Sequence, residues 1–171
     1  MSEMREGMRP TITRDEIAEM IRELAREIER DYEGKELVMI CPLKGSILFT
    51  ADLCREIKNP QIIDFVQIVS PKGESCRIVK DIGVDIQGQH VIIVEEIIDA
   101  GRTLSFLKAR LAASHPASLK VVALLDKPAL RELPVQPDYV GRTIDDRFVI
   151  GYGMDSEEKG RNYKDIYNFT Q

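Results

Sequence analysis

Basic character, paired cysteines and long apolar runs are all missing from this chain, and each absence narrows what it can be. With 24 Lys and Arg against 29 Asp and Glu, the formal net charge is -5. That is the wrong sign for a general nucleic-acid binder, and no basic, aromatic-rich stripe interrupts it. An anionic small ligand stays open, because a local site can oppose the global charge. The three cysteines, Cys41, Cys54 and Cys76, are odd in number and lack metal-ligand spacing. Zinc and a disulfide framework are therefore not expected, and a reduced, cytoplasmic setting is. No apolar stretch is long enough to span a bilayer, and the opening MSEMREGMRP lacks the apolar core of a secretory leader. Two nucleotide fingerprints are absent as well. No Gly-x-x-x-x-Gly-Lys-Ser/Thr occurs, and Gly151-Tyr152-Gly153 lacks the third glycine and the long preceding strand of a dinucleotide fold.

What is present fits one compact domain of 171 residues, with 43% hydrophobic and 31% charged side chains. Thr13 and Glu16 have capping-box spacing, and Ile17, Met20, Ile21, Leu24 and Ile28 follow at helical intervals, with Gly34 as the expected stop. Buried strands are predicted at 37–41, 62–69, 77–80, 91–94 and 119–125, and further helices at 47–57 and 104–113. Continuously apolar strands alternating with helices predict an α/β fold, a mostly parallel sheet covered on both faces. From Pro128 onward the chain is rich in Pro, Gly, aromatics and charge. Strand candidates at 138–141 and 147–151 are read there as a small antiparallel element over one end of the sheet. The chain ends, roughly 1–15 and 128–171, are expected to form a hood on a single domain.

The stretch VIIVEEIIDAGRTL, residues 91–104, carries the chemistry. A strand, three acids, a glycine turn and a helix start follow one another, and ligands of open parallel sheets bind where such strands end. Amides at a helix N-terminus suit a phosphate. Gly101 permits close approach, Thr103 offers a hydroxyl, and Arg102 adds charge at the rim. The acids need another partner, either sugar hydroxyls or Mg²⁺. One segment could thus hold a phosphorylated sugar. The same residues also suit an ordinary βα turn with solvated acids.

With these residues assembled, the segment resembles the phosphoribosyl-diphosphate (PRPP) signature of type I phosphoribosyltransferases. More narrowly, the chain resembles the hypoxanthine-guanine phosphoribosyltransferases. LKGS (43–46) resembles their pyrophosphate loop; IDF (63–65) and RIVKD (77–81) resemble the strands flanking their mobile loop. LLDKP (124–128) matches the segment with the purine-reading lysine, and DDRFVIGYGMD (145–155) with Arg161-Asn162 resembles the C-terminal base-stacking part. Singly, Lys127 reads as a strand-end surface lysine and Phe148 as core; the ordered run of pieces is what separates the readings.

The resemblance implies purine salvage: transfer of 5-phosphoribosyl from PRPP to hypoxanthine and/or guanine, with Mg²⁺, in a homodimer or homotetramer. Glu95 and Glu96 would face the ribose hydroxyls and metal, Asp99 the purine N7 as proton handler, and residues Asp99, Ala100, Gly101, Arg102 and Thr103 the 5′-phosphate. Leu43, Lys44, Gly45 and Arg161 would take the diphosphate, across a cis Leu43-Lys44 peptide. Lys127, Phe148, Val149 and Asp155 would take the base, Asp155 also serving a second Mg²⁺.

The chain departs from the family pattern at three points. Glu96 stands where an Asp is usual, which shifts a carboxylate by about 1 Å or more. Ala100 replaces a Thr or Ser. The loop after Phe65 is short, with Val69-Ser70-Pro71-Lys72-Gly73 where a Ser-Tyr pair is usual. These departures motivate an alternative from another class, a PRPP- or nucleotide-binding regulatory protein on the same fold with weakened catalysis.

Overall fold

A computed structural model describes residues 9–70 and 75–168; most of the short loop expected at 70–75, and residues 1–8 of the expected hood, lie outside the described residues. The elements in order are α1 (Arg14–Asp31), β1 (Leu37–Leu43), α2 (Ile47–Glu56), β2 (Gln61–Val69), β3 (Arg77–Lys80), β4 (His90–Ile98), α3 (Arg102–Ala112) and β5 (Ser118–Asp126). A 3₁₀ turn (Pro128–Leu130), β6 (Tyr139–Thr143), β7 (Val149–Ile150) and β8 (Tyr167–Asn168) complete the chain. Six strands form one sheet in the order β3-β2-β1-β4-β5-β6, parallel except for β3. The expected α/β class, with a mostly parallel sheet between helices, is what the chain forms.

Alternation along the central strands explains their continuous apolar character. Leu37 and Met39 of β1, Ile92 and Val94 of β4, and Val122 and Leu124 of β5 face one core with α1 and α2. Val38 and Ile40, Val91 and Ile93, and Val121 and Ala123 face the other, with α3. Both faces are dry, so polar alternation has no place in these strands. The capping box forms as expected: Thr13 N–H donates to Glu16 Oε2 at 2.8 Å, and Glu16 N–H to Thr13 Oγ1 at 3.3 Å.

Two expectations for the C-terminal part need correction. The strand predicted near 138–141 is no part of an antiparallel cap; β6 is a parallel edge strand of the main sheet, in register with β5 from Val122–Tyr139 to Asp126–Thr143. Tyr139 draws it there: its ring is buried, and its hydroxyl donates to Asp31 Oδ2 of α1 at 2.8 Å. The predicted 147–151 strand shrinks to Val149–Ile150, and its partner β8 was not foreseen. Next to that ribbon, Ile12 bridges Ile166. Among the described residues no helix is long and apolar enough to cross a membrane.

Candidate active site

β1 and β4 are sheet neighbours, yet the chain leaves them toward opposite faces. Phe49 and Leu53 of α2 enter the core on the α1 side, whereas Leu104, Leu107 and Leu111 of α3 enter the other. Diverging connections open a crevice at the strands' carboxyl ends, the usual ligand position in such sheets. Here it is a cleft of about 470 Å³. Its lining includes Leu43, Lys44 and Gly45 after β1, residues 95–104 of β4 and its turn, and Asp155 and Arg161 from the C-terminal part. Glu95, Glu96, Asp99, Ala100, Gly101, Arg102 and Thr103 therefore meet the residues expected at the diphosphate in one place. The Leu43-Lys44 peptide is cis, as the resemblance implied.

The glycine turn is held from behind. Gly101 caps α3 at φ 81°, a left-handed conformation that favours glycine. A Cβ there would also sit 2.6 Å from Val135 Cγ1. The carbonyl of Ile98 accepts from Lys127 N–H at 3.0 Å, that of Ala100 from Glu132 N–H at 3.0 Å, and that of Gly101 from Ser105 N–H at 2.8 Å. The Asp99 carbonyl accepts from the Arg131 guanidinium. With four successive carbonyls drawn into the protein, the first-turn amides of α3, which have no acceptor within the helix, are left as donors at the positive helix end. Arg102 stands at the rim, its Nε donating to Glu132 Oε2 at 2.6 Å.

Arg131 and Asp126 were missed in the sequence. They form an ion pair in which both side chains are only 9% exposed, and the same guanidinium holds Asp99. A signal existed: an acid closing the apolar run of β5 must be paired if buried. The partner five residues on, beyond a 3₁₀ turn, could not be read from spacing.

The acids lie differently from expectation. β4 runs on through Ile98, so Glu95 and Glu96 are strand residues and not loop residues behind it. Burial pushes the Glu95 carboxyl well up, and the charge of Glu96 adds to it. Glu96 is pushed up to about 7, first by burial and then by Asp155 and Asp99, with Arg161 opposing. Among the described residues, neither Glu95 nor Glu96 has an ion-pair partner. A buried acid, Glu95, beside a partly buried one, Glu96, with no such partner for either, suits ligand hydroxyls or a metal. No group of three or more candidate metal ligands occurs among the described residues, and Asp155 is engaged by Arg161 at 2.8 Å. The chain builds no closed cage, but Mg²⁺ commonly takes one or two carboxylates plus substrate phosphates and water. Glu95 and Glu96 fit that requirement.

The base-reading set is only partly gathered. Lys127 is buried, with Nζ 3.3 Å from Asp99 Oδ1. Phe148 is exposed and Val149 is buried in β7; neither lines the cleft. Val149 instead lines a separate hollow of about 270 Å³ with Ile12, Ile144 and Asn168 among others.

A phosphoribosyl transferase domain model matches residues 12–157. The hypoxanthine phosphoribosyltransferase of Salmonella typhimurium is 40% identical over 166 residues, covering 93% of both chains. The bifunctional protein TilS/HprT of Listeria innocua is 41% identical over 157 residues, which span 88% of this chain but 24% of that protein. A crystal structure of a hypoxanthine-guanine phosphoribosyltransferase from Bacillus anthracis superposes with a TM-score of 0.93 at 44% identity, covering 95% of this chain and 98% of that one. The matched span carries every element that lines the cleft except Arg161, and the chain belongs to the phosphoribosyltransferase family, in its hypoxanthine-guanine branch.

Proposed function

We propose that the protein is a purine-salvage transferase that moves 5-phosphoribosyl from PRPP to hypoxanthine and/or guanine, giving IMP or GMP and pyrophosphate. The observation that carries this reading is the single cleft in which Glu95, Glu96, Asp99, the Gly101 turn, Lys44 and Arg161 converge.

In the proposed reaction a purine nitrogen forms a bond to C1 of the ribose while the C1–oxygen bond breaks, its electron pair leaving with pyrophosphate. Asp99, 3.3 Å from the buried ammonium of Lys127, handles the purine proton near N7. Glu95 and Glu96 accept from the ribose hydroxyls and oppose the positive charge that develops on the sugar. The amides from Ala100 to Thr103 hold the 5′-phosphate, and Lys44, the Gly45 amide and Arg161 hold the diphosphate. A Mg²⁺ bound by Glu95, Glu96 and PRPP, with Asp155 near a second, would supply charge neutralisation on the leaving diphosphate. Lys127 donates to O6, which disfavours adenine, because a 6-amino group would set donor against donor. Phe148, just before β7, and Val149 within it would take the base from a hood that includes the β7–β8 ribbon, although neither lines the cleft.

A homodimer or homotetramer in the cytoplasm completes the proposal; the free thiols of Cys41, Cys54 and Cys76 support the compartment. A regulator with weakened catalysis is less favoured, because Glu96, one of the departures that suggested it, still lines the cleft. PRPP and Mg²⁺ with hypoxanthine, guanine, xanthine and adenine in turn, followed by absorbance, decide between them. Turnover of a 6-oxopurine is expected. Tight PRPP binding by folded protein without turnover of any 6-oxopurine would instead establish the regulator.

A further inference from the structure

We infer that Glu158 is an internal competitor for the diphosphate, a carboxylate that bridges the two cations at the cleft mouth and must be displaced when an anion binds. Its Oε2 accepts from Lys44 Nζ at 2.9 Å and lies 3.4 Å from an Arg161 terminal nitrogen. These cations come from distant parts of the chain, one after β1 and one beyond the 156–159 turn, and one carboxylate joins them across the mouth. Arg161 is anchored independently, donating to Gly153 O at 2.9 Å and pairing with Asp155 at 2.8 Å. Lys44 has Glu158 as its ion-pair partner.

The turn that presents Glu158 supports the assignment. Ser156 and Lys159 bridge across a two-residue hairpin turn whose central residues, Glu157 and Glu158, have φ 51° and 64°. Both central residues of such turns are left-handed, and Asn-Gly is the favoured pair because a Cβ is disfavoured there. This chain places two glutamates in that position. Glu158 N–H donates to Asp155 Oδ2 at 2.8 Å, so its backbone is tied to the same acid that pairs with Arg161. A conformation unfavourable for glutamate thus aims one carboxylate at both cations, and strain of this kind clusters where function holds it.

The inference rests on the reading of Lys44 and Arg161 as diphosphate groups. An incoming diphosphate makes stronger charge-assisted bonds to them than one carboxylate, but it must break the Glu158 contacts and then face its charge. On release, Glu158 takes back the cations. It therefore weakens diphosphate affinity and hastens its departure. Because Lys44 and Glu158 are both more than half exposed, screening keeps the effect moderate.

The test is titration of the full chain with pyrophosphate in excess Mg²⁺, comparing wild type, Glu158→Gln and Glu157→Gln. Both variants remove one negative charge from the same turn, but only Glu158 touches the cations. Glu158→Gln is expected to bind pyrophosphate about two- to tenfold tighter than Glu157→Gln and to release it more slowly, with the difference shrinking in high salt. Equal affinity of the two variants, or weaker binding by Glu158→Gln, would overturn the inference while leaving the diphosphate site standing. No pyrophosphate binding by any of the three proteins would overturn both.

Discussion

The carboxylate of Glu96 lies directly against Cα of Gly45, so that a Cβ at position 45 would overlap it. From the other side Gly153, at φ 98°, packs on the Gly45 carbonyl, where a Cβ at 153 would likewise overlap. Three elements, β4, the turn after β1 and the C-terminal loop, are thus stacked with hydrogen as the only spacer. The extra methylene that distinguishes Glu96 from the usual Asp ends in this stack.

Gly45→Ala is expected to push the Glu96 carboxylate and the turn after β1, the proposed diphosphate site, apart, lowering kcat/KM for PRPP about a hundredfold, the scale for a shift near 1 Å at a reacting site. Adding Glu96→Asp shortens the acid and should recover part of the loss. A double-mutant cycle in steady-state kinetics checks the coupling. Strict additivity would mean that the contact does not set the geometry.

Asp99→Asn removes the proposed proton acceptor but keeps the shape of the turn, since Arg131 holds the main-chain carbonyl and not the side chain. Turnover is expected to fall about 10²- to 10⁴-fold, with PRPP affinity changed only a few-fold. Stopped turnover assays beside equilibrium PRPP binding separate the two. An equal loss in both would count against the role.

Lys127 is buried, so Lys127→Met conserves most of the packing while deleting the donor. We expect the KM for hypoxanthine and guanine to rise and the discrimination against adenine to shrink by one to two orders of magnitude, roughly the scale at which one lost polar contact relaxes selectivity. Competition assays with both bases read it, and undiminished selectivity would place O6 recognition elsewhere.

Arg131→Met strands the buried Asp126 carboxylate and should cost about 3–5 kcal/mol of stability in urea unfolding. Arg131→Met with Asp126→Leu leaves no orphaned charge and should regain much of that. The double variant still lacks the donor to Asp99 O, so its KM for PRPP should stay high. If restored stability brought back the KM, Arg131 would matter to folding alone.

Asp64 gives a pH signature. Burial opposes its ionised form, but Val84, Phe65 and Gly83 N–H groups donate to it at 3.0, 2.7 and 2.6 Å, and the net effect lowers its carboxyl below the usual range. A lowered folded value means stability that is present above about pH 3.8 and lost as pH falls through the folded value. Asp64→Asn should therefore lower the melting temperature at neutral pH and flatten the decline on acidification. An unchanged slope would show that the carboxylate is not the group responsible.

Much of the architecture was legible before any coordinates, because its causes are local. Continuous apolar runs in β1, β4 and β5 follow from burial on both faces, and the Thr13–Glu16 box from four unpaired amides at the start of α1. The stretch from Glu95 to Thr103 could be picked out as cleft lining because acids, a glycine and a helix start are contiguous in the chain. The β6 edge strand was not legible: Tyr139 gains its place through α1, 108 residues away by sequence at Asp31. Nor was the strand assignment of Glu95 and Glu96, since carboxylates disfavour a buried strand until a site requires them there.

The sequence by itself determined the fold class, the glycine turn into α3 and the identity of the acids, all consequences of neighbouring residues and periodic burial. Only the tertiary structure decided that Arg131 and Asp126 brace Asp99, that Glu96 abuts Gly45, and that Glu158 spans Lys44 and Arg161. Each of these relations joins groups from separate loops at the sheet's carboxyl edge. Their distance is set by how strands and connections pack, which no local pattern encodes.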